Sequence, residues 1–68
     1  MNNLIVESSQ VSQNSGAYSL LQTLLDRLES RNINTTVFLS RDPVLFQLSS
    51  KNYTNIRFVK TTFIKNTK

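Results

Sequence analysis

The sequence contains no cysteine and no histidine, one glycine, one proline and only four carboxylates. Each shortage removes a class of chemistry. Without Cys or His, the usual ligands of zinc, iron-sulfur clusters and haem are missing, as are a thiol nucleophile and the commonest general base. Disulfides are excluded too, so a small fold cannot be stapled that way. Glu7, Asp26, Glu29 and Asp42 are too scattered for a cation cage, and no metal or cofactor is expected. No membrane-spanning apolar run is present, and Leu4-Ile5-Val6 is too short for the core of a signal peptide. The lack of Cys fits a reducing compartment, with cytoplasm as the default expectation.

Charge of one sign is absent from the last third. Residues 1 to 50 hold three Arg against four acids, whereas 51 to 68 hold Lys51, Arg57, Lys60, Lys65 and Lys68 against none. Such an end can attract phosphate or an anionic surface, but a short basic segment is more often solvated. Specific nucleic-acid binding is therefore the weakest reading.

What is present is a clear alternation of strand and helix patterns. Leu4-Ile5-Val6 is a continuous apolar run, as in a short strand covered on both faces. Ser8 to Ser15 is rich in side chains that bond to their own backbone and reads as a loop. Ala17, Leu20, Leu21, Leu24, Leu25 and Leu28 recur at helical spacing and predict one apolar face on a helix from about Gly16 to about Ser30. Ser15 or Asn14 would cap it, Arg27 and Arg31 would complement its dipole, and Asn32 would end it in the left-handed conformation. Thr35 to Ser40 predicts a second strand. Asp42 as cap and Pro43 in the first turn predict a short helix through Leu48, with Val44, Leu45 and Leu48 apolar and Phe46 beside them. Ile56 to Val59 predicts a third strand, and Thr61 to Ile64 either continues it or starts a further element.

Strands joined by helical crossovers imply a small α/β fold: a three-stranded parallel, Rossmann-like sheet of order 3-2-1 with one long and one short helix. Residues 1 to 68 form a single unit, expected to be a fragment of a larger Rossmann-like domain. Two helices are few for such a sheet, so one face or edge should be left underprotected.

Ligands of open α/β sheets bind where the carboxyl ends of strands lead into helix N-termini. Asn14-Ser15-Gly16-Ala17 occupies that place, and Ser15, Gly16 and Ala17 are the candidate phosphate-binding residues. The alternative is that Gly16 only eases entry to the helix and Ser15 only caps it. No G-x-G-x-x-G or G-x-x-x-x-G-K-[ST] motif is present. Glu7 could face the ligand crevice as a base, or bond loop amides. Tyr18 could stack on a ligand or pack inward, packing being the commoner use of an aromatic side chain. Arg41 could meet a ribose or phosphate, or simply be solvated. Phe38 and Phe58 are core candidates. The serines have no G-x-S-x-G elbow and no histidine, and paired acids for glycoside hydrolysis are absent. No catalytic residue is assigned.

The run Leu4-Ile5-Val6-Glu7-Ser8, then Asn14-Ser15-Gly16-Ala17-Tyr18, the Leu-rich helix and Thr36-Val37-Phe38-Leu39-Ser40 resembles the start of a family 4 glycosyltransferase of the GT-B fold. Ser15-Gly16 stands where that family has two glycines, and Ala17 matches the small residue after them. The resemblance implies a two-domain enzyme that moves a sugar from a nucleotide diphosphate sugar to an acceptor. This chain would cover only the first part of the acceptor-side domain. The donor domain with its E-x-x-x-x-x-x-E motif would be missing, so the nucleotide sugar is a partner only of the full-length enzyme and the chain alone would be inactive. The ending at Phe63 to Lys68, without cap or Pro, fits a truncation. The alternative function is a small α/β interaction module that forms a homo-oligomer through its exposed sheet.

Overall fold

The computed structural model describes residues 3 to 61. The order is β1 (Leu4–Glu7), α1 (Gly16–Ser30), β2 (Thr35–Leu39), α2 (Asp42–Ser49) and β3 (Ile56–Lys60). All strands are parallel in the order β1-β2-β3, with Val6 beside Val37 and Val37 beside Phe58. The expected small α/β fold with a three-stranded sheet and one long and one short helix is thus present.

Each helix forms for a local reason. Ser15 has extended backbone angles, and its Oγ accepts the Tyr18 amide at 3.1 Å, capping α1. At the other end Asn32 has φ 58°, the Ile33 amide reaches back to the Leu28 carbonyl and the Asn32 amide to that of Glu29. This is a Schellman closure, with Asn in the left-handed position usually held by Gly. α2 begins one residue away from the expected cap. Arg41 is the N-cap and makes no side-chain cap bond, while Asp42 is the first helical residue. The Asp42 carboxylate instead accepts from Lys60 Nζ at 2.6 Å, where both side chains are substantially exposed.

The core is one cluster of Tyr18, Leu21, Leu25 and Leu28 from α1, Val37 and Leu39 from β2, Val44 and Leu48 from α2, and Ile56 from β3. Side chains alternate across a strand, so Thr35, Val37 and Leu39 face the helices and Thr36 and Phe38 face away. Both helices therefore lie on one side of the sheet, as two successive right-handed crossovers in the same direction require. Among the described residues, no helix lies on the opposite face.

Three expectations are corrected by that geometry. β1 is not covered on both faces: Ile5, on the side away from the helices, is 62% exposed, and Leu4, on the helical side of this edge strand, is 44% exposed. Phe38 is only half-buried and outside the core, whereas Phe58, on the helical side, packs against it. The buried face of α1 runs through Tyr18 rather than Ala17, leaving Leu20 at 74% and Leu24 at 41% exposure. Phe46 on α2 is also solvent-exposed. Of the expected continuation at Thr61 to Ile64, the Thr61 amide donates to Leu39 O at 2.6 Å; residues 62 to 64 lie outside the described residues.

Candidate functional site

The carboxyl end of the sheet is a polar loop folded back on itself. Glu7 Oε2 accepts the Ser9 amide at 3.0 Å and also the Ser9 hydroxyl. Ser8 Oγ donates to Phe38 O at 3.0 Å, and Ser40 Oγ donates to Ser9 O. Gln13 Nε2 donates to Gln47 Oε1 at 2.8 Å, tying the loop to α2. The loop serines thus satisfy backbone carbonyls and one carboxylate. Among the described residues, Ser9 is the only loop serine that meets a carboxylate, and that carboxylate, Glu7, also accepts the amide of Ser9.

The turn into α1 follows the same logic. Asn14 takes the positive φ of 64°, a conformation its short polar side chain tolerates. Ser15 Oγ donates to Ser12 O at 2.7 Å while accepting the Tyr18 amide, so its oxygen is used on both sides. Gly16 does not have a positive φ, and a Cβ placed on it would meet nothing within 4 Å. Gly16 and Ala17 are exposed, and as the first two residues of the helix their N–H groups precede the intrahelical ladder. The place is an open helix N-terminus with partial positive charge.

The other candidates separate from it. Hydrogen bonds from the Ser9 hydroxyl and amide hold the Glu7 carboxyl below the usual carboxylate range, which makes it a poor base at neutral pH. Glu7 therefore does what loop acids commonly do and bonds its own loop. Tyr18 packs inward at 6% exposure, so its ring is not offered to a ligand. Its hydroxyl is buried without a partner, and burial pushes its pKa up. Arg41 is solvent-exposed at the start of α2. Ser15, Gly16 and Ala17 are thus brought together, and Glu7, Tyr18 and Arg41 do not join them.

An open depression of about 360 Å³ lies at the other end of the sheet, lined by Asn3, Asn34, Thr36, Asn55 and Arg57 among others. The Asn3 side-chain amide lies 3.3 Å from Thr36 Oγ1 there. This is the amino end of the strands, where the C-terminus of α1 rather than an N-terminus approaches, so it offers an anion no helix dipole.

Sequence reasoning missed the polar clip beside it. Glu29 accepts the amides of Thr54 and Asn55, both at 2.9 Å, and the Thr54 hydroxyl at 2.7 Å. The Thr54 and Asn55 bonds hold its carboxyl below the usual range. Tyr53 Oη donates to Asp26 Oδ1 at 2.5 Å, and burial first, then that bond, raises the phenol pKa. These contacts join α1 to the approach to β3 across at least 25 residues, and no local pattern announces them.

Among the described residues no helix is long and apolar enough to cross a membrane, and no group of three or more Asp and Glu side chains is placed to hold a metal ion. No family model, curated protein or solved structure matches the chain.

Proposed function

We propose that the chain is the first β-α-β-α-β portion of a nucleotide-sugar glycosyltransferase, holding one edge of its phosphate site at Ser15, Gly16 and Ala17 and inactive alone. The observation that carries this reading is the open N-terminus of α1: the exposed residues Gly16 and Ala17, whose amides precede the intrahelical ladder, with empty space where a Cβ on Gly16 would stand. The resemblance in strand, turn and helix order supplies the reaction class. No base or nucleophile accompanies the turn, which supports a binding role without chemistry. Titration with a uridine diphosphate sugar, followed by amide NMR, tests it. Saturable shifts are expected at Gly16 and Ala17, with no sugar transfer. Shifts confined to the segment after Lys51 would end the reading.

A second reading is favoured by a different observation. A parallel sheet normally has both faces covered, and here Ile5, Phe38 and Val59 lie on the face away from the helices. On this reading the chain is an assembly module that completes its sheet with a partner. Sedimentation tests it, with concentration-dependent association expected and a strict monomer refuting it.

A further inference from the structure

Among the described residues, four of the five exposed large apolar side chains collect at one border of the molecule. Leu4 and Ile5 belong to β1, which has β2 on one side and, among the described residues, no strand on the other. Leu20 and Leu24 belong to α1. Asp26 and Glu29 of that helix bond Tyr53, Thr54 and Asn55 on the β3 side. At about 100° per residue, Leu20 and Leu24 fall on the opposite flank of the buried Tyr18-Leu21-Leu25-Leu28 stripe. They therefore overhang the free edge of β1.

That edge has a defined hydrogen-bonding pattern. The amides of Leu4 and Ser8 donate inward to Asn34 and Phe38, and successive residues of a strand alternate their bonding side. The N–H and C=O of Ile5 and Glu7 therefore point outward. No Pro and no Lys protects the strand, and its one charge is Glu7. The following loop is drawn away from the edge, toward β2 and α2, by the Ser40–Ser9 and Gln13–Gln47 bonds.

We infer that the free edge of β1, with the Leu20-Leu24 flank of α1, is an interface for a second copy of this chain, joined by antiparallel β1 strands into a continuous six-stranded sheet. The inference places assembly at the sheet's edge rather than on its uncovered face, and it is independent of the transferase reading. The edge is self-complementary. With Val6 on the two-fold axis, Ile5 stands opposite Glu7 of the second copy and exchanges both backbone bonds with it, while Val6 faces Val6 as a pair without hydrogen bonds. Glu7 then meets an isoleucine rather than another carboxylate. The helices agree with the strands. The crossover helix α1 lies over β1 and β2, so its symmetry mate stands two strand spacings away, about 10 Å. That is a normal helix-packing distance, and it closes Leu20 and Leu24 of one copy against those of the other.

Sedimentation equilibrium of the 68-residue chain, its variants and disulfide trapping test this. A dimer is expected. Leu20→Glu, at an already exposed helix position, should weaken it by about tenfold or more with an unchanged far-ultraviolet spectrum, whereas Val59→Lys on the uncovered sheet face should leave it intact. Because the chain has no Cys, Val6→Cys carries the only thiol, and that residue faces itself across the axis at about 4.5 Å between Cα atoms, within disulfide reach. It should form a covalent dimer well ahead of Glu7→Cys. A dimer that survives Leu20→Glu but is lost in Val59→Lys overturns this interface and leaves assembly through the sheet face. A chain that stays monomeric at millimolar concentration overturns both.

Discussion

At the turn into α1 the positive φ falls on Asn14, which leaves Gly16 free of any backbone demand. Gly16→Ala should then stabilise the fold by about 0.4–1 kcal/mol, because it removes freedom only from the unfolded chain. Chemical denaturation measures this, and a loss of stability would show that the space beside Gly16 is needed for folding. Ser15 is the converse case. Its hydroxyl both caps Tyr18 N and closes the loop onto Ser12, so Ser15→Ala should cost about 1 kcal/mol or somewhat more. If the turn serves a phosphate, the added methyl fills the open approach beside Gly16, so the first variant should weaken phosphate binding while it stabilises the fold. Glu29 acts at longer range. Its bonds to Thr54 and Asn55 lower its folded pKa below the ordinary 4.5. The charged form therefore stabilises the fold at and above that pH, and the contribution is lost as pH falls through the lowered value. Melting temperature should decline on acidification below pH 4.5, and Glu29→Gln should flatten that decline while lowering stability at pH 7. An unchanged acid profile would mean that the clip contributes nothing.

At the scale of elements, α1 holds the molecule together. Leu25 is fully buried in the core that α1 shares with β2 and α2. Leu25→Ala should cost about 2–5 kcal/mol. Stability of a chain this short is expected to total about 3–10 kcal/mol, so the variant should be partly unfolded at 37 °C by circular dichroism, whereas Leu20→Ala should change little. The order and limits of the elements were legible because their signals are local. Leucine spacing, the Ser15 cap and the Asn32 stop define α1 from Gly16 to Ser30 without any tertiary contact. Which stripe of that helix is buried was not legible. Two overlapping apolar stripes, Ala17-Leu20-Leu24 and Leu21-Leu25-Leu28, satisfy the same period, and only the position of the sheet selects between them. For the same reason the apolar run in β1 suggested cover on both faces, although its neighbours place it at an edge. At the candidate site, the sequence located the Ser15-Gly16-Ala17 turn but could not show that Asn14 bears the unusual φ. The fate of Glu7, Tyr18 and Arg41 depends on the path of the loop, which is set by contacts such as Ser40 to Ser9 across 31 residues.

At the scale of the whole molecule the sheet is asymmetric: one face buries the core, and among the described residues no helix lies against the other. Both proposed roles depend on this asymmetry, since each assigns further protein to surfaces that the two helices leave open. The asymmetry can be measured with one substitution made twice. Val37 and Val59 are strand residues on opposite faces, the first fully buried under the helices and the second half-exposed. Val→Thr keeps volume and β-branching but replaces a methyl by a hydroxyl that needs a hydrogen-bond partner. At Val37 no water is available to supply one, so the cost should be about 1–3 kcal/mol. At Val59 the hydroxyl reaches solvent, and the change should stay within about 0.5 kcal/mol. Both variants are compared by urea denaturation at concentrations low enough to keep the chain monomeric. Equal costs would mean that the second face is already covered within a single chain, which would remove the physical basis for a partner on that face. A large cost at Val37 alone, rising at Val59 only as protein concentration increases, would place the missing layer in another molecule on that face and shift the assembly site from the β1 edge to it.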